Sequence, residues 1–170
     1  MTAAEILSRA ETLDPIRWIE DRASKDPDGY ADGKEVHGKD DGPAHEFTIP
    51  FNLPDRKPLP RVCLAFLPTI RSWEIPALLS FGDWNECPPP DVHVGLMKHW
   101  YEQYGAEFVG VTEDVIEMRV TQPPADPSAA QTLAREQFLY CSDIVHQGVG
   151  TTRALASLLQ GGTAWYFWWD

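Results

Sequence analysis

Between Phe81 and Pro90 the chain reads FGDWNECPPP, a stretch in which one glycine and three prolines stiffen a loop that carries Trp84, Asn85 and Cys87. Asp91 follows as the expected cap of a helix, with His93 on its first turn. A thiol close to a helix N-terminus has its thiolate favoured by the dipole, so Cys87 is a candidate nucleophile. His93 would be its base, Asp143 the acid that orients the imidazole, and Asn85 or nearby backbone N–H groups the oxyanion donors. Asp143 belongs to a second polar cluster, Tyr140-Cys141-Ser142-Asp143-Ile144-Val145-His146-Gln147-Gly148, at the end of another expected helix. Polar residues delivered to element boundaries are where sites are commonly built. Cys87, His93, Cys141 and His146 also have the right chemistry for zinc. Their Cys-x5-His and Cys-x4-His spacings are not the compact pairs of structural zinc sites, and no metal or cofactor is assigned.

The same residues support a binding surface, made of Trp73, Trp84, Asn85, His93, Tyr140, Asp143 and Gln147. Of the seven tryptophans, Trp100, Trp165, Trp168 and Trp169 lie in periodic segments and are expected in the core. Trp73 and Trp84 lie near loop ends, where they suit either a recognition patch or the anchoring of a rigid loop. Plainer roles exist for the rest: Cys87 as a small buried filler, His93 as a capping group, Asp143 and Gln147 as partners of a helix end. Glu117 lies on an alternating strand that would turn it to water.

The elements that must position these groups are read from periodicity and caps. Thr2 with Glu5 makes a capping box for a first helix carrying Ile6, Ala10 and Leu13, and Asp14-Pro15 restarts a second with Trp18 and Ile19. From Ser24 to about Glu46 the composition of Asp, Gly, Lys and Pro offers little to bury, which reads as a linker. Phe47–Leu53 is expected to be a short edge strand or a docking segment, limited by Pro50 and Pro54. Arg61–Leu67 (RVCLAFL) has the composition of a buried strand, and Trp73–Phe81 is either a strand around Pro76 or a turn of helix. In the Asp91 helix Val92, Leu96, Trp100 and Tyr104 recur every four residues, Lys98, His99 and Glu102 face water, and Gly105 ends it. Glu107–Val111 and Val115–Val120 predict a hairpin, Asp126-Pro127 opens a helix, and Thr151 or Thr152 opens the last one. Ala164–Trp169 (AWYFWW), apolar on both faces, predicts a strand covered on both sides.

These elements predict a mixed α/β (α+β) fold: a layered sheet with flanking helices in a single compact domain over residues 61–170, behind a looser N-terminal extension over 1–60. At 170 residues and 43% hydrophobic composition, the chain can bury a core without staples. The three cysteines, Cys63, Cys87 and Cys141, read as reduced thiols. No apolar run approaches a membrane span and no secretory signal is visible, so a cytoplasmic location is expected. A formal net charge of −12, with six Lys/Arg across 61–170, argues against nucleic acid and favours steering towards a basic protein partner, beside its plain use in solubility.

The segments WEIPALLSFGDWNECP, HWYEQYGAE, YCSDIVHQG and WYFWWD, in that order, resemble the bacterial domain-of-unknown-function family numbered 4253 over about 61–170. The resemblance implies an α/β domain and brings no established activity or catalytic residues with it. Charge and size then point to a non-enzymatic binding protein of the immunity or antitoxin type. The alternative is a thiol-dependent hydrolase or transferase using Cys87 with His93.

Overall fold

A computed structural model describes residues 1–25, 46–52 and 55–170. The expected linker therefore lies almost wholly outside the described residues, and so does the end of the Phe47–Leu53 segment.

Helix α1 (Ala3–Ala10) is capped by Thr2, whose side chain accepts from the Glu5 N–H while the Glu5 carboxylate accepts from the Thr2 N–H. Helix α2 (Pro15–Ala23) follows, with Asp14 accepting from the N–H groups of Ile16 and Arg17. The two helices bury their apolar stripes on the body of the protein: Ile19 enters the main core, while Ile6 and Ala10 pack with Ala77 and Val94. The first 25 residues are thus docked, and the loose arm expected from sequence does not apply to them.

The Trp73–Phe81 segment resolves as helix: a 3-10 turn at Ser72–Glu74 runs into α3 (Ile75–Leu79), which Ser80 stops at a φ of 52°. Pro76 sits in the first turn of α3, where its missing N–H costs nothing. Helix α4 (Pro90–Tyr104) begins two residues earlier than expected, with Pro89 as its cap. Asp91 is therefore inside the first turn, buried and 3.3 Å from Arg9 Nε of α1. Gly105 ends α4 at a φ of 58°, and a Cβ there would stand 2.0 Å from Thr121 Oγ1, so the turn into the sheet requires glycine.

Strands β1 (Ala106–Val111), β2 (Val115–Val120) and β3 (Ala164–Trp168) form an antiparallel sheet in that spatial order. The expected hairpin is β1–β2, and β3 pairs on the other side of β2 with Met118 opposite Trp165 and Ile116 opposite Phe167. These four side chains share one core with residues of α4, α5 (Pro127–Tyr140) and α6 (Thr152–Leu159), and Trp100 stacks on Phe167 at 5.6 Å with the rings 4° apart. Asp126 and Thr151 cap α5 and α6 through their side chains. Alternate residues of β3 are buried while Ala164, Tyr166 and Trp168 are half-buried, so the strand is fully covered on one face only.

Two further expectations are corrected. Arg61–Leu67 forms no strand, and Val62, Leu64 and Phe66 are exposed, because no edge among the described strands takes up its backbone groups. Glu117 does not face water: it is 2% exposed, and its Oε1 accepts from Thr48 N at 2.5 Å, Thr48 Oγ1 at 2.6 Å and Ile49 N at 3.2 Å. Alternation places Glu117 on the face away from the helices, and residues 46–52 cover that position. Gly110, opposite Glu117, lets Ile49 pack close, since a Cβ there would come within 2.7 Å of Ile49 Cδ1.

Candidate functional site

The Phe81–Pro90 loop turns its cysteine inward. Gly82 at a φ of 113° lies so close to the returning chain that a Cβ would stand 2.1 Å from the Pro88 carbonyl oxygen and 2.7 Å from His93 Nε2. Asp83 and Asn85 also take positive φ, the Asp83 N–H donates to Pro88 O, and the Cys87 N–H donates to Trp84 O. The thiol then sits 3.4 Å from His93 Nε2, and His93 Nδ1 lies 2.5 Å from the Tyr140 hydroxyl at the end of α5. Cys87, His93 and Tyr140 form a row with Phe81 and Trp169 set edge-on against the imidazole.

This row is closed to solvent: Cys87 is 4% exposed, and His93 and Tyr140 are 0%. Burial pushes the Cys87 thiol far above its ordinary range, with repulsion from the Cys141 thiolate as a lesser cause. Burial likewise drives the His93 imidazole down to about 3, against a smaller opposing effect of the Pro88 carbonyl, and pushes the Tyr140 phenol well up. The expected lowering of the Cys87 pKa at the helix start is thus reversed, since desolvation outweighs the dipole. At neutral pH the row is a thiol, a neutral imidazole and a phenol, whereas nucleophilic attack needs thiolate.

Asp143 does not orient His93, because Tyr140 already occupies Nδ1. Its Oδ2 accepts from the Asp170 N–H at 3.2 Å, and its Oδ1 accepts from Gln147 Nε2 at 3.2 Å. Asn85 Nδ2 donates to Asp170 O at 2.6 Å, and Cys141 Sγ donates to Trp168 O at 3.0 Å, with burial raising that thiol to about 12. The two polar clusters of the sequence therefore do meet, through the His93–Tyr140 contact and by gripping residues 168–170 from both sides. Trp84 is half-buried and edge-on to Phe81 at 4.9 Å, which anchors the loop. His146 lies on the π-helical turn Ile144–Val149, against Phe138. Among the described residues no group of three His, Cys, Asp or Glu side chains is placed to hold a metal ion.

Trp73 is elsewhere. Its ring meets Tyr101 at 4.6 Å between centroids and lines a groove of about 580 Å³ between α1, α2, the 3-10 turn and α4. Sequence reasoning found Trp73 but not the groove, because its other wall comes from the N-terminal helices. It also assigned Tyr140 to a surface, with no signal that the phenol would close the His93 row.

The fold and site define a mixed α+β domain organised around a buried Cys–His–Tyr row, with its closing strand gripped by two loops. The model of the family DUF4253, a domain of unknown function, matches residues 63–170, and the chain belongs to that family. No curated protein and no solved structure matches it. Among the described residues no helix is long and apolar enough to cross a membrane.

Proposed function

We propose that the protein is a non-enzymatic cytoplasmic binding protein whose partner is a basic protein, in the manner of an immunity protein or antitoxin. The observation that carries this reading is the segment from Arg61 to Ile70. It leaves Leu64 81%, Phe66 89% and Ile70 102% exposed in a chain with a net charge of −12. A contiguous apolar stretch on an otherwise charged surface is what protein interfaces bury, and the charge would speed encounter with a basic surface. The state of the Cys87–His93 pair also supports the reading, since both groups are neutral and shut from solvent. The test is capture with the full chain at low ionic strength, beside a Leu64→Ser/Phe66→Ser variant. The expected result is a basic protein retained by the wild type, released by salt and not retained by the variant. Retention of nothing, or equal retention by the variant, would refute it.

The 3.4 Å contact between Cys87 Sγ and His93 Nε2 favours a second reading, a thiol-dependent hydrolase or transferase. It requires Cys87 to be alkylated faster than an ordinary thiol at neutral pH. The burial of Cys87 leads us to expect the opposite.

A further inference from the structure

We propose that the groove beside Trp73 is a binding site for a small organic cation, an amine carried on a compact apolar or aromatic body. The site is distinct from the Arg61–Ile70 surface and does not depend on it.

Its volume, about 580 Å³, lies within the range of small-molecule sites. Part of the lining is apolar: Leu7 from α1, Leu13 before α2, Val94 from α4 and the Trp73 indole. Gly95 of α4 also lines the groove, and its missing side chain lets Leu13 pack close, since a Cβ there would come within 2.7 Å of Leu13 Cδ2. An apolar body therefore has a slot, and an indole face beside it favours a cation.

The charges set the sign. Glu11, Glu74 and Glu102 line the groove with Arg71 and Lys98, three carboxylates against two cations. Arg71 is already engaged, 3.0 Å from Glu74 Oε1, while Glu74 Oε2 accepts from Thr69 Oγ1. His99, also in the lining, lies 3.6 Å from Glu136. Glu11 and Glu102 share the lining with Lys98, and among the described residues none of the three is in an ion pair. Asp91, 6% exposed and outside the lining, sits one helical turn before Gly95 on α4. Its Oδ2 pairs with Arg9, and its Oδ1 has no hydrogen-bond partner among the described residues. Because Arg9 neutralises Asp91, the excess negative charge at the groove is that of Glu11 and Glu102 over Lys98, and the net charge of −12 extends the attraction for a cation into solvent.

The experiment is calorimetric titration of the full chain with 2-phenylethylamine, 2-phenylethanol and 3-phenylpropionate at low ionic strength. We expect the amine to bind, added salt to weaken it, and the alcohol and the carboxylate to fail. A Glu11→Gln/Glu102→Gln variant, altered only at exposed positions, should lose roughly tenfold in affinity for the amine, or about 1.4 kcal/mol. Trp73→Leu, which keeps apolar bulk but removes the ring face, should also weaken it. No binding of the amine, equal binding of the alcohol, preference for the carboxylate, or an unchanged affinity in the Gln variant would each overturn the assignment. The Leu64→Ser/Phe66→Ser variant should bind the amine as the wild type does, so this site and the protein-binding reading can fail separately.

Discussion

Cys87, His93 and Tyr140 have the composition of a catalytic row and the environment of a core. That combination has a measurable consequence for stability against pH. Unfolded, His93 would titrate near its ordinary 6.5, whereas folded it titrates at about 3. Between those values the unfolded chain binds the extra proton, so stability is full above about pH 6.5 and falls as the pH drops towards 3. The thiols act at the other end: Cys141 is raised to about 12 from an unfolded value of 9.0, and Cys87 is raised too. The unfolded chain loses those protons first, so stability should fall again above about pH 9. Denaturant midpoints across this range should trace a plateau between the two limbs. His93→Gln should flatten the acid limb specifically, and an unaltered acid limb in that variant would show His93 is not its source. Glu117 gives a second residue-scale test. Its carboxylate takes three hydrogen bonds from Thr48 and Ile49, so Glu117→Gln should cost about 1–3 kcal/mol and speed proteolysis around residue 48.

At the scale of elements, sequence was most informative where a cap and a period agreed. Thr2 with Glu5, Asp14-Pro15 and Asp126-Pro127 each opened a helix at the residue expected, Thr151 proved to be the cap of the two threonines offered for the last, and the β1–β2 hairpin followed from two runs flanking Thr112-Glu113-Asp114, the second of them alternating. It was least informative where the outcome depended on a partner element. RVCLAFL has strand composition, yet a strand exists only if an edge accepts it, and neither β1 nor β3 does. Glu117 followed the alternation correctly, but its burial depends on residues 46–52, sixty-five or more positions earlier in the chain. The candidate site was half legible for the same reason. The loop chemistry placing Cys87 near His93 is local, whereas Tyr140 at Nδ1 and the grip of Asn85 and Asp143 on Asp170 are products of tertiary packing. Because the 61–70 segment contributes no core, Leu64→Ser/Phe66→Ser should leave the thermal midpoint within the small range of surface changes, about 0.5 kcal/mol either way. A large loss would mean that the segment packs in solution.

The whole molecule raises the question of where the folding unit begins. The family match starts at residue 63, yet the structure buries Ile6 at 1% and Ile19 at 2% exposure, and one wall of the Trp73 groove comes from α1 and α2. Arg9 also holds buried Asp91, while Arg22 reaches Leu139 O and Glu86 on the loop that carries Cys87. Removing residues 1–25 would therefore uncover Ala77 and Val94, leave Asp91 without its counter-charge and loosen the support under the Phe81–Pro90 loop. Burial of the two isoleucines alone is worth about 3–6 kcal/mol as an upper figure, a large part of the ~5–15 kcal/mol that holds a typical domain together. The truncated chain should accordingly unfold at markedly lower denaturant, with Cys87 alkylated faster than in the full chain. Restoring the helices as a separate peptide should reverse both effects in proportion to its concentration, because a ligand that binds only the folded state stabilises it by mass action. If the truncated chain instead keeps full stability and a slow thiol, the folding unit is the family domain alone, and α1 and α2 rest on it without supporting it.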